Sequence, residues 1–270
     1  MELLRLLALT GIVAIAAILS ACGGGGGNSV TDTLSSSDRT IILSDENSEL
    51  HKSECGTVEK PLRIMPLGDS ITESTVGHSS YRKHLYDLLT ENGCVVDFVG
   101  SRHGVSDGVV HSRERLLQTT DFDQDHEGHW GFRADQILLY ISEWAHKNVP
   151  DLALVHLGTN DIFQSQSVDS TLAEMEEVIN ELRLANPKVR ILLAQIIPSS
   201  RARNEIESFN KRIPELANSL STAESPVRVV DQFHEFFVSS DTFDNIHPND
   251  SGELKMASRW FNAIMEIWFA

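Results

Sequence analysis

Between residues 62 and 269, short apolar runs alternate with stretches whose apolar residues recur every three or four positions. The runs are Leu62-Arg63-Ile64-Met65-Pro66-Leu67, Val95-Val96-Asp97-Phe98-Val99, Leu152 to Leu157, Val189 to Ile197 and Val227-Arg228-Val229-Val230. They are apolar along their length rather than in strict alternation, which predicts five strands buried on both faces. Between them, Tyr81, Leu85, Leu88 and Leu89 share one helical face that Gly93 closes. Ile137, Ile141 and Trp144 form a second stripe, and Leu172, Met175, Val178, Ile179 and Leu182 a third that Asn186-Pro187 ends. Ile206, Phe209, Ile213, Leu216 and Leu220 predict a helix that Pro214 kinks or restarts, and Met256, Trp260, Phe261, Ile264 and Ile267 mark the last helix. Strands and helices taking turns predict an α/β fold, a parallel sheet between two helical layers. Arg102 to His129 has neither period and reads as a long polar loop of the kind that serves function.

Ligands of such sheets collect at the carboxyl ends of the strands. Gly68-Asp69-Ser70-Ile71-Thr72 follows the first strand and Gly158-Thr159-Asn160-Asp161 the third. Gly131 ends the polar loop, and Asp244-Asn245-Ile246-His247 lies near the C-terminus. In that order they supply a nucleophile, a glycine and an asparagine for an oxyanion, and a histidine base with its aspartate, the equipment of a serine hydrolase. A serine hydroxyl is a weak nucleophile without a base, so Ser70 needs His247, and Asp244 at i, i+3 is placed to hold the other ring nitrogen. Asp231-Gln232-Phe233-His234 has the same spacing and is the rival pair, at the end of the last strand where an aspartate commonly fixes a loop. Asp69 and Asp161 are expected to bond backbone amides around their turns.

Composition narrows the partners. A chain of 270 residues, 41% hydrophobic and 23% charged, fits one domain plus appendages with a full core. Its net charge of −17 argues against nucleic-acid binding and disfavours a polyanionic substrate. A monomer is expected.

The N-terminus reads as an address. Arg5, the apolar run Leu6 to Ile18 and then Leu19-Ser20-Ala21-Cys22 have the pattern of a secretory signal, and the run is short for a membrane span. Leu-Ser-Ala-Cys resembles the lipobox of bacterial lipoproteins. That resemblance implies a signal peptide over 1–21, lipidation of Cys22 and a domain held at the bacterial cell envelope. Residues 22–58, rich in Gly, Ser, Thr and Asp, read as a flexible tether before a domain at 59–270. Export favours disulfides, and Cys55 and Cys94 stand at the starts of the first two strands. If those strands are parallel neighbours, a Cys55–Cys94 bond is expected.

The four blocks together resemble the SGNH, or GDSL-type, hydrolase superfamily from Leu62 to Phe269. Asp125-His126-Glu127-Gly128-His129-Trp130-Gly131 and Asp97-Phe98-Val99-Gly100-Ser101 are similar to carbohydrate esterase family 3, the acetylxylan esterases. The resemblance implies a flavodoxin-like three-layer sandwich with strand order 2-1-3-4-5, and no cofactor or metal. It implies catalysis by Ser70, His247 and Asp244, with an oxyanion hole made of the Ser70 and Gly131 backbone N–H groups and the Asn160 amide. The expected function is removal of small acyl groups, acetyl above all, from a polysaccharide such as xylan. A phospholipase, thioesterase or arylesterase on the same frame is the alternative, as is a glycan-binding lipoprotein with a relic site. Ser74 stands where the superfamily often has glycine, and Trp130 and Phe132 flank Gly131 where the esterase family tends to have Ser and Trp. His126, Glu127 and His129 fall one residue short of the His-Glu-x-x-His zinc motif, so a polar rim against the sugar or packing beneath Gly131 is expected of them instead. His129 and Trp130 are candidate substrate contacts, Trp130 by stacking on a pyranose if it is not buried.

Overall fold

β1 (Leu62–Gly68) is the central strand, with only Arg63 less than fully buried. On one side it pairs with β7 (Leu152–His156), which pairs with β8 (Arg190–Gln195), which pairs with β9 (Val227–Asp231), all parallel. Its other edge is shared by two strands. β2 (Val96–Phe98) takes the first half, with Leu62 opposite Val96, and β6 (Asp125–Gly128) takes the second, with Gly68 opposite Gly128. The order β2-β1-β7-β8-β9 is the expected 2-1-3-4-5, but the sheet has seven strands rather than the expected five, because β6 and one further short strand join it beside β1. This computed structural model describes residues 55–108, 115–116 and 121–269. The signal segment, Cys22 and most of the tether lie outside the described residues.

The apolar runs are explained by which layer each residue meets. In β7, Leu152 and Leu154 enter one core with Leu85 and Leu89 of α2 (Ser80–Glu91) and Trp260 and Ile264 of α9 (Asp250–Phe269). Ala153 and Val155 enter the other, with Met175 and Ile179 of α6 (Val168–Ala185) and Phe209 and Ile213 of α7 (Arg203–Leu220). Successive residues of a strand point to opposite faces, so two covered faces require an apolar residue at every position.

Three further expectations are corrected. The loop from Arg102 to His129 contains paired backbone: β3 (Arg102–His103) runs antiparallel to β6, and β4 (Val105–Ser106) pairs with β5 (Arg115–Leu116). These strands are two to four residues long and mostly polar, so no apolar period announces them. The stripe of Ile137, Ile141 and Trp144 belongs to two short helices, α3 (Ala134–Leu138) and α4 (Ile141–Asn148). Pro214 lies inside α7, which continues through it to Leu220, so the helix does not restart there.

Cys55 and Cys94 are bonded, with their Cα atoms 4.8 Å apart and a sequence separation of 39. The Val95 amide donates to the Cys55 carbonyl at 3.0 Å, so the bond sits at the amino ends of β1 and β2, opposite Ser70. Closing a loop of that length stabilises the fold by about 3–4 kcal/mol in the chain-entropy model. Reduction is therefore expected to lower the melting temperature while sparing ester hydrolysis in the cold. Calorimetry and activity with and without reductant check this, and equal loss of both would place the bond in support of the active edge.

Candidate active site

At the end of β1 the chain turns sharply into α1 (Ser70–Glu73), one turn of helix. The Asp69 carboxylate caps it by accepting from the Ile71 amide at 3.0 Å, so Ser70 opens the helix at the carboxyl edge of the sheet. The turn needs glycine at 68, because a Cβ there would lie 2.2 Å from Thr72 Oγ1 and 2.8 Å from the His156 carbonyl. Ser74 ends α1 with a left-handed φ of 63°, the conformation that explains why glycine is expected there.

His247 reaches Ser70 from the loop before α9, its Nε2 2.9 Å from Ser70 Oγ. Its Nδ1 lies 2.7 Å from Asp244 Oδ2, while Asp244 Oδ1 accepts the Ile246 amide at 3.0 Å and the His247 amide at 2.7 Å. An aspartate on Nδ1 keeps the proton there and leaves Nε2 as the acceptor. Burial pushes the Asp244 carboxyl up, but its bonds from the His247 amide and ring, with the Ile246 amide, outweigh that and hold it below the ordinary value. The carboxylate is therefore ionised at neutral pH. Trp130 and Phe243 stack on the imidazole at centroid distances of 4.8 and 5.7 Å.

Asp231 and His234 form the same local unit, with Nδ1 2.7 Å from Oδ2 and the Phe233 and His234 amides on Oδ1 at 2.9 Å. The His234 side chain is 72% exposed against 15% for His247, and no serine meets it among the described residues.

Asn160 lies in the first turn of α5 (Thr159–Phe163), after β7. Its amide donates to the Phe132 carbonyl at 2.9 Å, which ties it to the Gly131 turn and leaves its second N–H for another acceptor. Gly131 has φ 77°, and Asp161 holds the same turn by accepting from the Ala134 amide at 3.0 Å. Ser70, Gly131 and Asn160 thus stand on three neighbouring loops at one edge of the sheet. Such an edge can take a carbonyl carbon at Ser70 and offer N–H donors to its oxygen.

Burial raises the Asp69 carboxyl to about 7, against the Ile71 bond and with the charge of Asp161 adding to the shift. Asp161 is raised to about 6, again by burial first. Sequence reasoning missed two supporting residues. Glu73 accepts from the Trp130 amide at 2.6 Å, and Arg82 is fully buried with its guanidinium on four carbonyls. An arginine at a helical position between Tyr81 and Leu85 was the one available signal, because burying it demands partners.

His129, expected on the substrate rim, is corrected. It is 1% exposed, with Nε2 2.6 Å from Glu127, Nδ1 facing Arg102 and its ring on Trp144 at 4.2 Å. It packs beneath the Gly131 turn because the Trp144 face and the buried Glu127 compete for it more effectively than solvent. His126 is buried as well, with Nε2 on the Gly104 carbonyl and Nδ1 accepting the Gly128 amide. Asp135, Asp161 and Glu174 approach within 4.8 Å of one another, and Arg133, the Ala134 amide and Gln166 already meet their charges.

Residues 64–260 match the GDSL-like lipase/acylhydrolase family. The chain belongs to that family. It is a carboxylic ester hydrolase of the GDSL type. A family 3 carbohydrate esterase from Talaromyces cellulolyticus superposes with a TM-score of 0.67 at 32% identity, covering 76% of this chain and 97% of that one. A family 3 carbohydrate esterase from Clostridium thermocellum gives 0.65 at 28% identity, over 77% of this chain and 98% of its own. A multidomain esterase from Ruminococcus flavefaciens is 26% identical over 233 residues, 78% of this chain. The chain spans only 29% of that relative's length, and 58% of that of a putative endoglucanase from Acetivibrio thermocellus.

The raised carboxyl of Asp69 has a pH consequence. Between about 4 and about 7 the folded state keeps a proton that the unfolded chain has lost, so this group's contribution to stability falls as pH rises through that window. Asp69→Asn keeps the capping oxygen and cannot titrate. Its melting temperature relative to the native protein is expected to climb from about pH 4 to about pH 7 and then level off. A difference independent of pH in thermal melts would show that Asp69 is ionised throughout.

Proposed function

We propose that this chain is a serine esterase that removes small acyl groups, acetyl above all, from a polysaccharide such as xylan. The observation that carries the reading is the continuous line of contacts from Asp244 Oδ2 to His247 Nδ1 at 2.7 Å and from His247 Nε2 to Ser70 Oγ at 2.9 Å. Ser70 Oγ attacks the ester carbonyl carbon as His247 Nε2 takes its proton, and Asp244 stabilises the imidazolium. The negative charge on the carbonyl oxygen goes to the Ser70 and Gly131 amides and to Asn160 Nδ2. Collapse breaks the bond to the sugar oxygen, which takes the proton back from His247. Water, deprotonated by the same nitrogen, then attacks the acyl-serine and releases the acid and the free hydroxyl.

The family 3 carbohydrate esterases at 32% and 28% identity support a sugar ester as substrate, and an acetyl esterase mutant with acetate ion, also 32% identical, supports acetate as the acid released. The half-buried Trp130, stacked on His247, supports a ring-bearing substrate at this rim. The Leu19-Ser20-Ala21-Cys22 segment extends the reading to a lipid-tethered enzyme at the bacterial cell envelope. Acetate release from acetylated xylan, set beside a series of p-nitrophenyl esters of rising acyl length, tests the substrate. Activity that grows with chain length and is absent on xylan would make the enzyme a lipase instead.

Ser70→Ala and His247→Ala are each expected to cost several orders of magnitude in kcat, since such residues act as a unit. His234→Ala, which breaks the look-alike pair, is expected to leave kcat within about threefold, as for a surface change away from the chemistry. Steady-state kinetics on p-nitrophenyl acetate separate the two, and the reverse ranking would move the base to His234.

Asn160→Ala is expected to lower kcat by about 100-fold or more with little change in KM, the pattern of a donor used in the transition state. A change confined to KM would make Asn160 a substrate-positioning group.

A further inference from the structure

Beside the site, on the same edge of the sheet, lies a groove of about 530 Å³ lined by Phe163, Ser165, Gln166, Arg201, Ala202 and Glu205 among others. Neither Ser70, Gly131, Asn160 nor His247 lines it. Both of its walls, however, continue from catalytic loops. Phe163 ends the short helix α5 that carries Asn160, three residues and about 4.5 Å along the axis from it. On the other wall, the Arg201 amide donates to Ser199 Oγ at 3.2 Å, and that hydroxyl donates to the Asn245 carbonyl at 3.0 Å, inside the turn between Asp244 and His247.

The groove is built at a cost in backbone strain. Ser165 and Ala202 face it from opposite walls, and both hold a left-handed backbone, with φ 64° and 58°. That conformation is disfavoured for a non-glycine residue and persists only where the surrounding structure holds it. The Arg201 guanidinium lies over the Phe163 ring at 4.7 Å and donates to the Phe163 carbonyl at 2.9 Å, which makes one side of the groove a flat, braced plate. Ser165, Ser167 and Glu205 also line the groove, with the Ser167 hydroxyl oxygen accepting the Ser170 amide at 3.1 Å. Gln166 gives its amide nitrogen to Glu174 at 2.6 Å, which turns its role toward the groove to that of an acceptor.

A flat plate of guanidinium laid over an aromatic ring, bordered by hydroxyl, amide and carboxylate residues, suits a flat ligand that carries many hydroxyls. Arg201 and Glu205 offset each other in charge, so the lining favours a neutral ligand over a polyanion. We infer that this groove is a second glycan subsite, which holds a sugar unit of the same chain next to the unit that bears the scissile ester. The inference rests on the polysaccharide reading above and adds to it a preference for length.

The test compares acetylated xylo-oligosaccharides of two and six units with p-nitrophenyl acetate, using the native protein, Arg201→Ala, which removes the guanidinium face of the plate, and Glu205→Trp, which fills the groove. Thermal melts first establish that both variants are folded. The native protein is expected to favour the hexamer over the dimer in kcat/KM, and both variants to lose that preference, with KM for the hexamer rising by about tenfold, the size of one lost contact. On p-nitrophenyl acetate, which has no glycan, kcat is expected to stay within about twofold. A native protein that turns over both oligomers equally, or folded variants that keep the preference, overturns the subsite. A matching loss on p-nitrophenyl acetate also overturns it, because the groove would then act through the catalytic loops. If the native protein cleaves p-nitrophenyl acetate and no acetylated oligosaccharide, the polysaccharide reading itself fails and the subsite falls with it.

Discussion

A single buried guanidinium carries the polar framework beneath the site. Arg82 is fully buried on α2, and its nitrogens donate to the carbonyls of Thr72, Glu73, Gly104 and Gln124 at 2.8–3.0 Å. Burial lowers it to about 10, against the pull of Tyr81, Glu73, Glu253 and Asp123, so it stays charged at neutral pH. Burying a charge is costly unless its donors are met, and here four backbone carbonyls meet them. The arrangement solves two problems together. The short helix α1, too short to stand alone, has its free carbonyl ends tied down, and the irregular chain around residues 104 and 124 is drawn onto the same point. Glu73 passes the constraint on, since its carbonyl receives Arg82 and its carboxylate receives the Trp130 amide. The loop of Ser70 and the loop of Gly131 are thereby referred to one atom group.

The two ends of the sheet are built in different ways. At the amino ends, the Cys55–Cys94 bond and the Val95–Cys55 backbone contact hold β1 and β2 together with a covalent tie. At the carboxyl ends the restraints are polar and in part unfavourable. Asp69 and Asp161 are buried carboxyls that each leave one oxygen without a hydrogen bond among the described residues, and both are raised in pKa. Each also braces a loop of the site, Asp69 through the Ile71 amide and Asp161 through the Ala134 amide. Sites that hold groups ready for chemistry commonly cost stability in this manner, and the closed opposite end offsets it.

Much of this was legible along the chain. The two-sided burial of the strands requires apolar runs, and the runs at 62, 95, 152, 189 and 227 mark five of the six parallel strands and the helices between them. The blocks at Ser70, Asn160 and His247 follow strand ends or precede the last helix, so their common edge could be read from order alone. The short strands between Arg102 and Gly128 could not. Their pairing is decided by Arg82 and by the second half of β1, neither of which leaves a period in the residues concerned.

The sequence by itself determined the class of fold, the 2-1-3-4-5 order through its family resemblance, and the residue types at the site, because periodicity and turn chemistry are local. Residue types and spacing leave His247 and His234 alike; the family resemblance favours His247, and only the tertiary structure sets it against Ser70. Asp244 and Asp231 bond the histidine three residues on in the same way, so each pair is the same object locally. The serine that distinguishes them is 177 residues from His247 in sequence, and no local rule reports which histidine it meets. The same holds for His129, a polar residue on a polar loop that becomes buried because Trp144 and Glu127 arrive from elsewhere in the chain. Hydrogen bonds and ring faces act over a few ångströms of space, whatever the distance along the chain, and that is why these contacts appear only once the chain is folded.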